Sequence, residues 1–393
     1  MSTLRIEAVT TAAQARVFLA LPARLAHLGW GIPLRWEERR LFDPRWNGFL
    51  RDHAVARFLA WRDGEAVGRI AACVPLAGPG PATFGFLRAE RDAAVVAALL
   101  DAARGFVARH GRSSLDGPLS FTINHEAGAL VAPQAGGNVI VPPEAGGEAM
   151  PAGRVPMLRM PRTPPWLPFM IESAGFTPLG DLLACTLDLA QERHRARFAA
   201  LAARRPAEIA RLRLRRLDRR DFAAEVSRVA ALYDDAWGAN RHAVPLRPGE
   251  VATMAKLLRP LLLAGEVVFA EWDGAPVGLV SVVPNIEPSL PADGRLLPFG
   301  WLKLGAALAG RTDSARIPML GIVQGFRGHP ASALAMGALL AEAIGIAERR
   351  GWQRTEISWI LEENAAMRNA MARLPAPVTG RWRLWRAGGG ASL

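Results

Sequence analysis

Few side chains in this sequence are placed to move a proton, and the densest group of them lies between Glu356 and Asn364. Glu356, Ser358 and Ile360 share one face of a predicted strand, and Glu362 follows at its end. A carboxylate in such a place can act as a general base, with Asn364 orienting water or accepting from an amine. The alternative is that Glu356 and Glu362 are solvated or salt-bridged, and the residues alone leave both open.

Three further polar residues are candidates for the same chemistry. Asn285 ends a predicted strand, and His125 and Glu126 follow another one. Each has a structural alternative, because loop residues are commonly polar and a lone histidine is more often structural than catalytic.

A protein metal site is not expected. Cys73 and Cys185 are the only cysteines, with no CxxC spacing, and the seven histidines form no HxH or HExxH pair. The same count argues against a disulfide framework.

The composition is that of a globular protein, with 50% hydrophobic and 21% charged residues in a chain of 393. The net charge of +12 is concentrated, since residues Arg193 to Arg220 contain eleven arginines against Glu208 and Asp218. Phe198 is the only aromatic residue in that stretch, so the basicity does not favour nucleic-acid binding. No run approaches the ~20 apolar residues of a spanning helix, and a cytoplasmic location is expected.

Two segments repeat at an offset of 210 residues. Asp63-Gly64-Glu65-Ala66-Val67-Gly68 matches Asp273-Gly274-Ala275-Pro276-Val277-Gly278, and apolar strand-like residues flank both. Asp-Gly between two such runs predicts a β-hairpin in each copy.

A second match follows at an offset of 240. Ala98 to Ala103 and Ala338 to Ala343 begin similar stretches with helical apolar spacing, which end at Gly111 and Gly351. Asn124 and Asn364 then fall opposite each other. Three elements in the same order predict a duplication, in which the second copy has gained about 30 residues.

The predicted fold class is α/β (α+β), with two tandem lobes that each contain a mixed, mostly antiparallel sheet flanked by helices. We place the N-terminal lobe at residues 1–192, a basic connector at 193–206 and the C-terminal lobe at 207–387. The extra residues form an apolar insertion at 284–316.

The order of hairpin, strand, long helix and fifth strand resembles the GNAT superfamily of N-acetyltransferases, and specifically bacterial proteins built from two GNAT-like lobes. The resemblance covers nearly the whole chain. It rests on DPRWNGF (43–49), FLAWRDGEAVGRI (58–70), DDAWGAN (234–240), LLPFGWLKL (296–304) and EISWILEENAAMRNAM (356–371).

The resemblance implies a turn that holds the pyrophosphate of acyl-CoA, commonly RGxGxG or RGxGxA, between the fourth strand and the next helix. In this sequence the matching residues are Gly321, Ile322, Val323, Arg327, Gly328, His329 and Ala331. Pro330 stands where the family has a glycine, and it has no N–H to donate.

The first lobe has no such turn, because Phe84-Gly85-Phe86-Leu87 continues directly into Arg88-Ala89-Glu90-Arg91. We therefore expect acyl-CoA to bind in the second lobe alone. GNAT enzymes often use a tyrosine acid after the fifth strand, whereas the only tyrosine here is Tyr233, which lies well before it.

The resemblance implies a CoA-dependent N-acyltransferase that acylates a primary amine. Some bacterial ceramide synthases are GNAT-like, so the acceptor that the resemblance implies is a lipid amine such as a sphingoid base. The apolar insertion would then pack on the lobe, line a hydrocarbon site or contact an anionic membrane. The alternative is a catalytically inactive tandem GNAT that acts as a ligand-binding module.

Overall fold

Two compact units make up the chain in the computed structural model. The residues it describes are 3–78, 80–131, 133–134, 137–138, 157–191, 211–238, 259–291, 293–372, 374 and 376–388. The first unit comprises Met1–Leu183, Leu290–Gly300 and Thr379–Leu393, and the second comprises Ala184–Ser289 and Trp301–Val378. The connector at 193–206 lies outside the described residues.

Strands and helices alternate along both halves of the chain. The strands are β1 (Arg5–Ala8), β2 (His53–Arg62), β3 (Glu65–Pro75), β4 (Ala82–Ala89), β5 (Leu115–Gly117), β6 (Ala129–Leu130), β7 (Pro133–Gln134), β8 (Gly137–Asn138), β9 (Thr177–Asp188), β10 (Leu212–Arg216), β11 (Glu266–Trp272), β12 (Ala275–Pro284), β13 (Ser314–Ile322), β14 (Arg354–Leu361) and β15 (Val378–Ala387). The helices are α1 (Ala12–Arg24), α2 (Arg35–Leu41), α3 (Ala93–Arg109), α4 (Leu167–Ser173), α5 (Phe222–Trp237), α6 (Gly300–Leu308), α7 (Ser332–Arg349) and α8 (Ala365–Ala372).

Each unit is built on one mixed sheet. The order is β1-β2-β3-β4-β5-β15-β9 in the first unit and β9-β14-β13-β12-β11-β10 in the second, with β9 divided between them after residue 183. The neighbours β4 and β5 are parallel, as are β13 and β14, whereas the hairpins are antiparallel. The predicted fold class is therefore confirmed.

The two hairpins are copies in backbone detail. Asp63 and Gly64 have φ values of 51° and 82°, and Asp273 and Gly274 have 50° and 81°. Positive φ at both central residues is the geometry of a type I′ turn, which matches the twist of the flanking strands. Even a register shift recurs, after Ala60 in one copy and after Ala270 in the other.

The long helices α3 and α7 share a stop but differ at their start. Both end before a glycine with positive φ, Gly111 at 69° and Gly351 at 71°. The carboxylate of Asp92 caps the start of α3 by accepting from the backbone N–H groups of Ala94 and Val95, whereas no side chain caps the start of α7. Only α7 therefore keeps its first N–H groups free of a side-chain acceptor.

Strand β15 is fixed in the first unit by charge and by burial. Asp181 of β9 accepts from Arg381 and Arg383, and Asp116 of β5 accepts from Arg386, at 2.6 to 3.0 Å. Trp382 and Trp385 are fully buried beside these pairs. The sequence prediction of two contiguous lobes did not anticipate this placement of the last strand.

In the first unit, the segment that follows β5 occupies the space between β4 and β5. After β5 the Leu119 N–H donates to the Phe84 carbonyl at 2.6 Å, and a Cβ on Gly85 would lie 2.0 Å from the Leu119 carbonyl oxygen. The ring of Phe121 packs on Phe86 with a centroid distance of 4.9 Å. No other residue type fits at position 85 without moving this backbone.

Gly85→Ala should lower the free energy of unfolding by about 3 kcal/mol or more, because the added methyl group overlaps backbone atoms. Gly105→Ala is the matched control, since its Cβ would meet nothing closer than 3.6 Å in the middle of α3. Helix propensity predicts that this control gains up to about 1 kcal/mol. Urea denaturation of both variants tests the assignment, and equal effects would contradict it.

Candidate functional site

Among the described residues, the turn from β13 to α7 leaves two backbone donors exposed, those of Gly325 and Gly328. The N–H groups of Arg327, His329 and Ser332 donate to carbonyl oxygens of the same turn. Gly328 is exposed, its N–H donates to no acceptor among the described residues, and a Cβ there would meet no atom within 4 Å. This donor lies beside the uncapped start of α7, a combination suited to a phosphate group.

The end of α5 holds this turn in place. Asp235 Oδ1 accepts from the Gln324 N–H at 2.6 Å, and the Arg327 guanidinium donates to the carbonyls of Ile322, at 3.1 Å, and Ala236. A Cβ on Gly321 would lie 2.5 Å from the Trp237 ring. The DDAW part of the motif at 234–240 thus positions the turn, and the structure gives Arg327 an anchoring contact within the protein.

His329 is part of an aromatic cluster. Its ring stacks on Phe326 at a centroid distance of 4.5 Å and meets Trp272 edge-on at 5.3 Å. Nδ1 of His329 lies 3.1 Å from the Ala331 N and accepts its hydrogen. The N–H groups of His329 and Ala331, both predicted to bind the coenzyme, are therefore engaged inside the turn.

Strands β13 and β14 separate after a short parallel pairing. The two strands pair from Ser314 opposite Arg354 to Ile317 opposite Ile357, and the pairing ends there. Just past that point β13 has a bulge, because two steps along β12, from Ser281 to Val283, correspond to three along β13.

Beyond the bulge, alternation decides which backbone groups of β13 face the gap. The Val323 N–H donates to Val277 of β12, so Gly321 and Val323 direct their backbone groups toward β12. Leu320 and Ile322 direct theirs to the opposite edge, where β14 has moved away. The N–H of Ile322, a residue that the sequence predicted for the site, can therefore donate to a ligand in the gap. The N–H of Leu320, which was not predicted, can do the same.

A buried polar network lies at the point of separation. Arg316 and Glu356 are directly opposite each other, and Ser358 Oγ donates to Glu356 Oε1 at 3.0 Å while accepting from Arg316 Nε at 3.0 Å. All three side chains are at least 94% buried. Burial, and next the nearby Glu356 carboxylate, raise the pKa of the Cys185 thiol to about 11, so that thiol stays protonated.

Arg316 is the member that the sequence analysis missed. The sequence does contain an indication of its role, because Arg316 lies within the apolar strand of residues 314–322. An arginine in such a place is buried only when it has a partner. The contact with Ser358, 42 residues later, could not be read from the sequence.

Two other predicted residues of the second unit have structural contacts. Asn285 is fully buried, with Nδ2 donating to Ser314 Oγ at 3.1 Å and Oδ1 accepting from the Glu287 N–H. Asn364 is exposed, and its Oδ1 accepts from the Met367 N–H as the N-cap of α8. Glu362 is half-buried at the end of β14. A catalytic role for these three stays a prediction.

The candidates of the first unit are also held by neighbours. Glu126 accepts from the buried Arg88 at 2.9 and 3.0 Å. Nδ1 of His125 lies 3.1 Å from Thr122 Oγ1. Burial, and then the charge of Arg159, lower the pKa of His125 to about 3, which keeps its ring neutral at physiological pH.

The insertion at 284–316 contains α6 and exposes several large apolar side chains. Ala307 is buried, while the exposed side chains are Leu297, Phe299, Trp301 and Leu302. Each of these four keeps more than half of its surface accessible. In the part of the chain that the structure describes, no helix is long and apolar enough to cross a membrane, and no group of three or more histidine, cysteine or carboxylate side chains could hold a metal ion.

Comparison with known proteins gives two relatives over most of the chain. The chain is 33% identical over 381 residues to the bacterial ceramide synthase of Caulobacter vibrioides (strain NA1000 / CB15N), covering 93% of this chain and 92% of that protein. It is 29% identical over 384 residues to Protein YghO of Escherichia coli (strain K12), covering 94% and 92%. No protein-family model matches the chain.

A solved structure agrees with the fold. A tandem GNAT protein from the clavulanic acid biosynthesis pathway, solved without AcCoA, superposes with a TM-score of 0.56 at 18% identity, covering 99% of this chain and all of that one. At this identity the likeness establishes the architecture of two GNAT lobes and nothing about the substrate.

The lowered pKa of His125 predicts an acid sensitivity. Because the unfolded chain binds a proton near pH 6.5 and the folded chain near pH 3, stability is present above pH 6.5 and is lost as the pH falls toward 3. The loss is at most about 1.4 kcal/mol per pH unit. Between pH 7 and pH 5, the free energy of unfolding should fall more in the wild type than in His125→Gln. Parallel pH profiles from urea denaturation would contradict the lowered pKa of His125.

Proposed function

We infer that this chain is an acyltransferase, because it belongs to the GNAT superfamily and to the same family as the bacterial ceramide synthase of Caulobacter vibrioides. We propose that it transfers an acyl group from acyl-CoA to a primary amine, and that the amine is a long-chain lipid amine such as a sphingoid base. The observation that carries this proposal is the open edge of β13 beside the uncapped start of α7.

The second unit has the groups that an acyl-CoA would need. The Gly328 N–H and the first turn of α7 suit the pyrophosphate, and the backbone groups of Leu320 and the N–H of Ile322 suit the amides of the pantetheine arm. Pro330 supplies no N–H, so the phosphate contacts are fewer than in the usual glycine turn. The first unit lacks both features, since Asp92 caps α3 and the chain fills the gap beside β4.

The buried network at the start of the gap suits proton removal. Acyl transfer forms a bond from the amine nitrogen to the carbonyl carbon and breaks the carbon–sulfur bond, with CoA leaving as its thiolate, which takes up a proton from water. The attacking ammonium must first lose a proton. In the proposal, Ser358 Oγ passes that proton to Glu356, and Arg316 holds Ser358 in place through its Nε. Tyr233 stacks on Trp237 within α5, which leaves no tyrosine in the usual position of the acid.

The lipid nature of the acceptor rests on two observations. One is the name of the relative that is 33% identical, a ceramide synthase. The other is the exposed apolar insertion, in which Leu297 and Phe299 have 77% and 72% of their surface accessible. Both favour a hydrocarbon-bearing amine over a small, polar one.

A second candidate is a tandem GNAT that binds a ligand without catalysis. Pro330 favours it, as do the structural contacts of Asn285 and Asn364. It differs from the first proposal in predicting ligand binding without release of free thiol.

Binding of CoA should depend on the Gly328 N–H. CoA at about 100 times its Kd stabilises a folded chain by about 2.7 kcal/mol, which raises Tm. Gly328→Ala keeps the N–H in open space and should retain this rise, whereas Gly328→Pro removes the donor and should lose most of it. Differential scanning fluorimetry measures both. If CoA raised the Tm of both variants equally, the proposed binding of phosphate by the Gly328 N–H would be contradicted.

Catalysis should depend on Glu356. With a long-chain acyl-CoA and sphinganine, Glu356→Gln should release free thiol about 10²-fold to 10⁴-fold more slowly than the wild type. Glu348→Gln, on the exposed end of α7, is the matched control and should be unaffected.

The Tm of Glu356→Gln and its shift with CoA separate lost chemistry from lost folding. Wild-type protein that releases no thiol with any long-chain amine, yet melts higher with CoA, would favour the binding module. Undiminished release by a folded Glu356→Gln would contradict the assigned base.

A further inference from the structure

One surface of the first unit combines exposed aromatic and aliphatic side chains with arginines. It lies on α2, on the loop that follows α2, and on the segment Leu290–Gly300. Its members, called here the aromatic–basic surface, are Trp36, Arg39, Trp46, Arg295, Leu297 and Phe299. None of them belongs to the candidate acyltransfer site.

Two tryptophans on this surface enclose an arginine. The guanidinium carbon of Arg40 lies 3.8 Å from the ring centroid of Trp36 and 4.3 Å from that of Trp46. Nevertheless 45% of Trp36 and 38% of Trp46 stay accessible. The stacked arginine fixes both indole rings with one side directed outward, so that apolar area is presented rather than buried.

The segment 290–300 is joined to the start of α2. The Arg35 N–H donates to the Gly294 carbonyl at 3.0 Å, and Gly294 packs so closely on Pro33 that a Cβ there would lie 2.4 Å from its carbonyl oxygen. Leu297 follows Gly294 by three residues, or about 10 Å of extended chain. The exposed side chains of this segment are therefore tethered beside α2.

On this surface Arg295 is paired with Asp293, whose Oδ2 lies 3.8 Å from its Nε, whereas no described carboxylate neutralises the arginines of α2. Among the described residues, no carboxylate lies within salt-bridge distance of Arg35, Arg39 or Arg40. Nε of Arg35, and both Nε and Nη1 of Arg40, donate to no acceptor in that same set. These nitrogen atoms are buried and do not reach a ligand themselves, but Arg35, Arg39 and Arg40 give the surface positive charge that no carboxylate of the described residues offsets at salt-bridge distance.

We propose that the aromatic–basic surface docks on an anionic lipid bilayer. Tryptophan with exposed leucine and phenylalanine is the composition that inserts at the level of lipid headgroups, and unneutralised arginines complement anionic phosphates. A protein partner is the weaker alternative, because it would have to neutralise several cations and bury Leu297 and Phe299 in one complementary site.

This inference does not rest on the N-acyltransferase proposal. Vesicle binding can be present whether or not the chain releases thiol, and its loss would leave the assignments of Gly328 and Glu356 untouched. If both proposals hold, docking would bring the chain to the phase in which a long-chain amine is dissolved.

The test is flotation of the full chain with two kinds of vesicle. One is phosphatidylcholine alone, and the other contains about 30% phosphatidylglycerol, which makes its surface strongly anionic. The wild type should float with the anionic vesicles, less so in 0.5 M salt, roughly the range in which screening becomes strong. Leu297→Ser with Phe299→Ser should weaken partitioning at least about tenfold. Arg39→Glu should weaken it about fivefold or more.

Leu76→Ser is the matched control, because Leu76 is 61% exposed and lies outside the aromatic–basic surface. It should float like the wild type. Wild-type protein that does not float with anionic vesicles would overturn the proposal, as would undiminished flotation of the Leu297 and Phe299 double variant. Self-association that the double variant abolishes, without vesicle binding, would overturn it in favour of a second copy of the chain.

Discussion

In the second unit, β13 and β14 pair side by side for four residues and then part. The backbone of β13 beyond Ile317 is left with donors and acceptors that face no neighbouring strand, and such groups must find water or a ligand. The bulge at the same point turns the strand, and the network of Arg316, Ser358 and Glu356 sits just before it. The acyl-CoA binding site and the proton acceptor that we propose both depend on this separation of β13 from β14.

The two lobes show how one framework can keep or lose such a gap. Each fourth strand has a bulge of three residues against two, although the bulges lie two residues apart in the aligned copies; Gly85 begins the one in β4 and Arg316 the one in β13. Glycine allows the chain after β5 to cross onto β4, whereas the arginine side chain reaches toward Ser358 on β14. The helix that follows is capped by Asp92 in the first copy and by no side chain in the second. Loss of the gap and loss of the free helix start therefore occur together.

Local rules made the duplication readable from the sequence. Asp-Gly, at 63 and again at 273, is typical of a hairpin turn with positive φ at both central residues, and both turns have this geometry. Gly111 and Gly351 end helices for the same reason. The placement of β15 could not be predicted, because it depends on Asp181 meeting Arg381 and Arg383, 200 and 202 residues later in the chain. The contact of Asn285 was equally hidden, because its Nδ2 donates to Ser314, 29 residues later in the chain, whereas an asparagine just before a helix, such as Asn364, is a common N-cap.

A crystal structure grown with a non-hydrolysable long-chain acyl-CoA thioether tests the central claim most directly. We expect density for one pantetheine arm along β13, from Leu320 toward Gly328, with the thioether next to the Glu356 and Ser358 side chains. We expect none beside Gly85. A second molecule bound at β4, or an acyl-CoA bound away from β13, would contradict the proposed site.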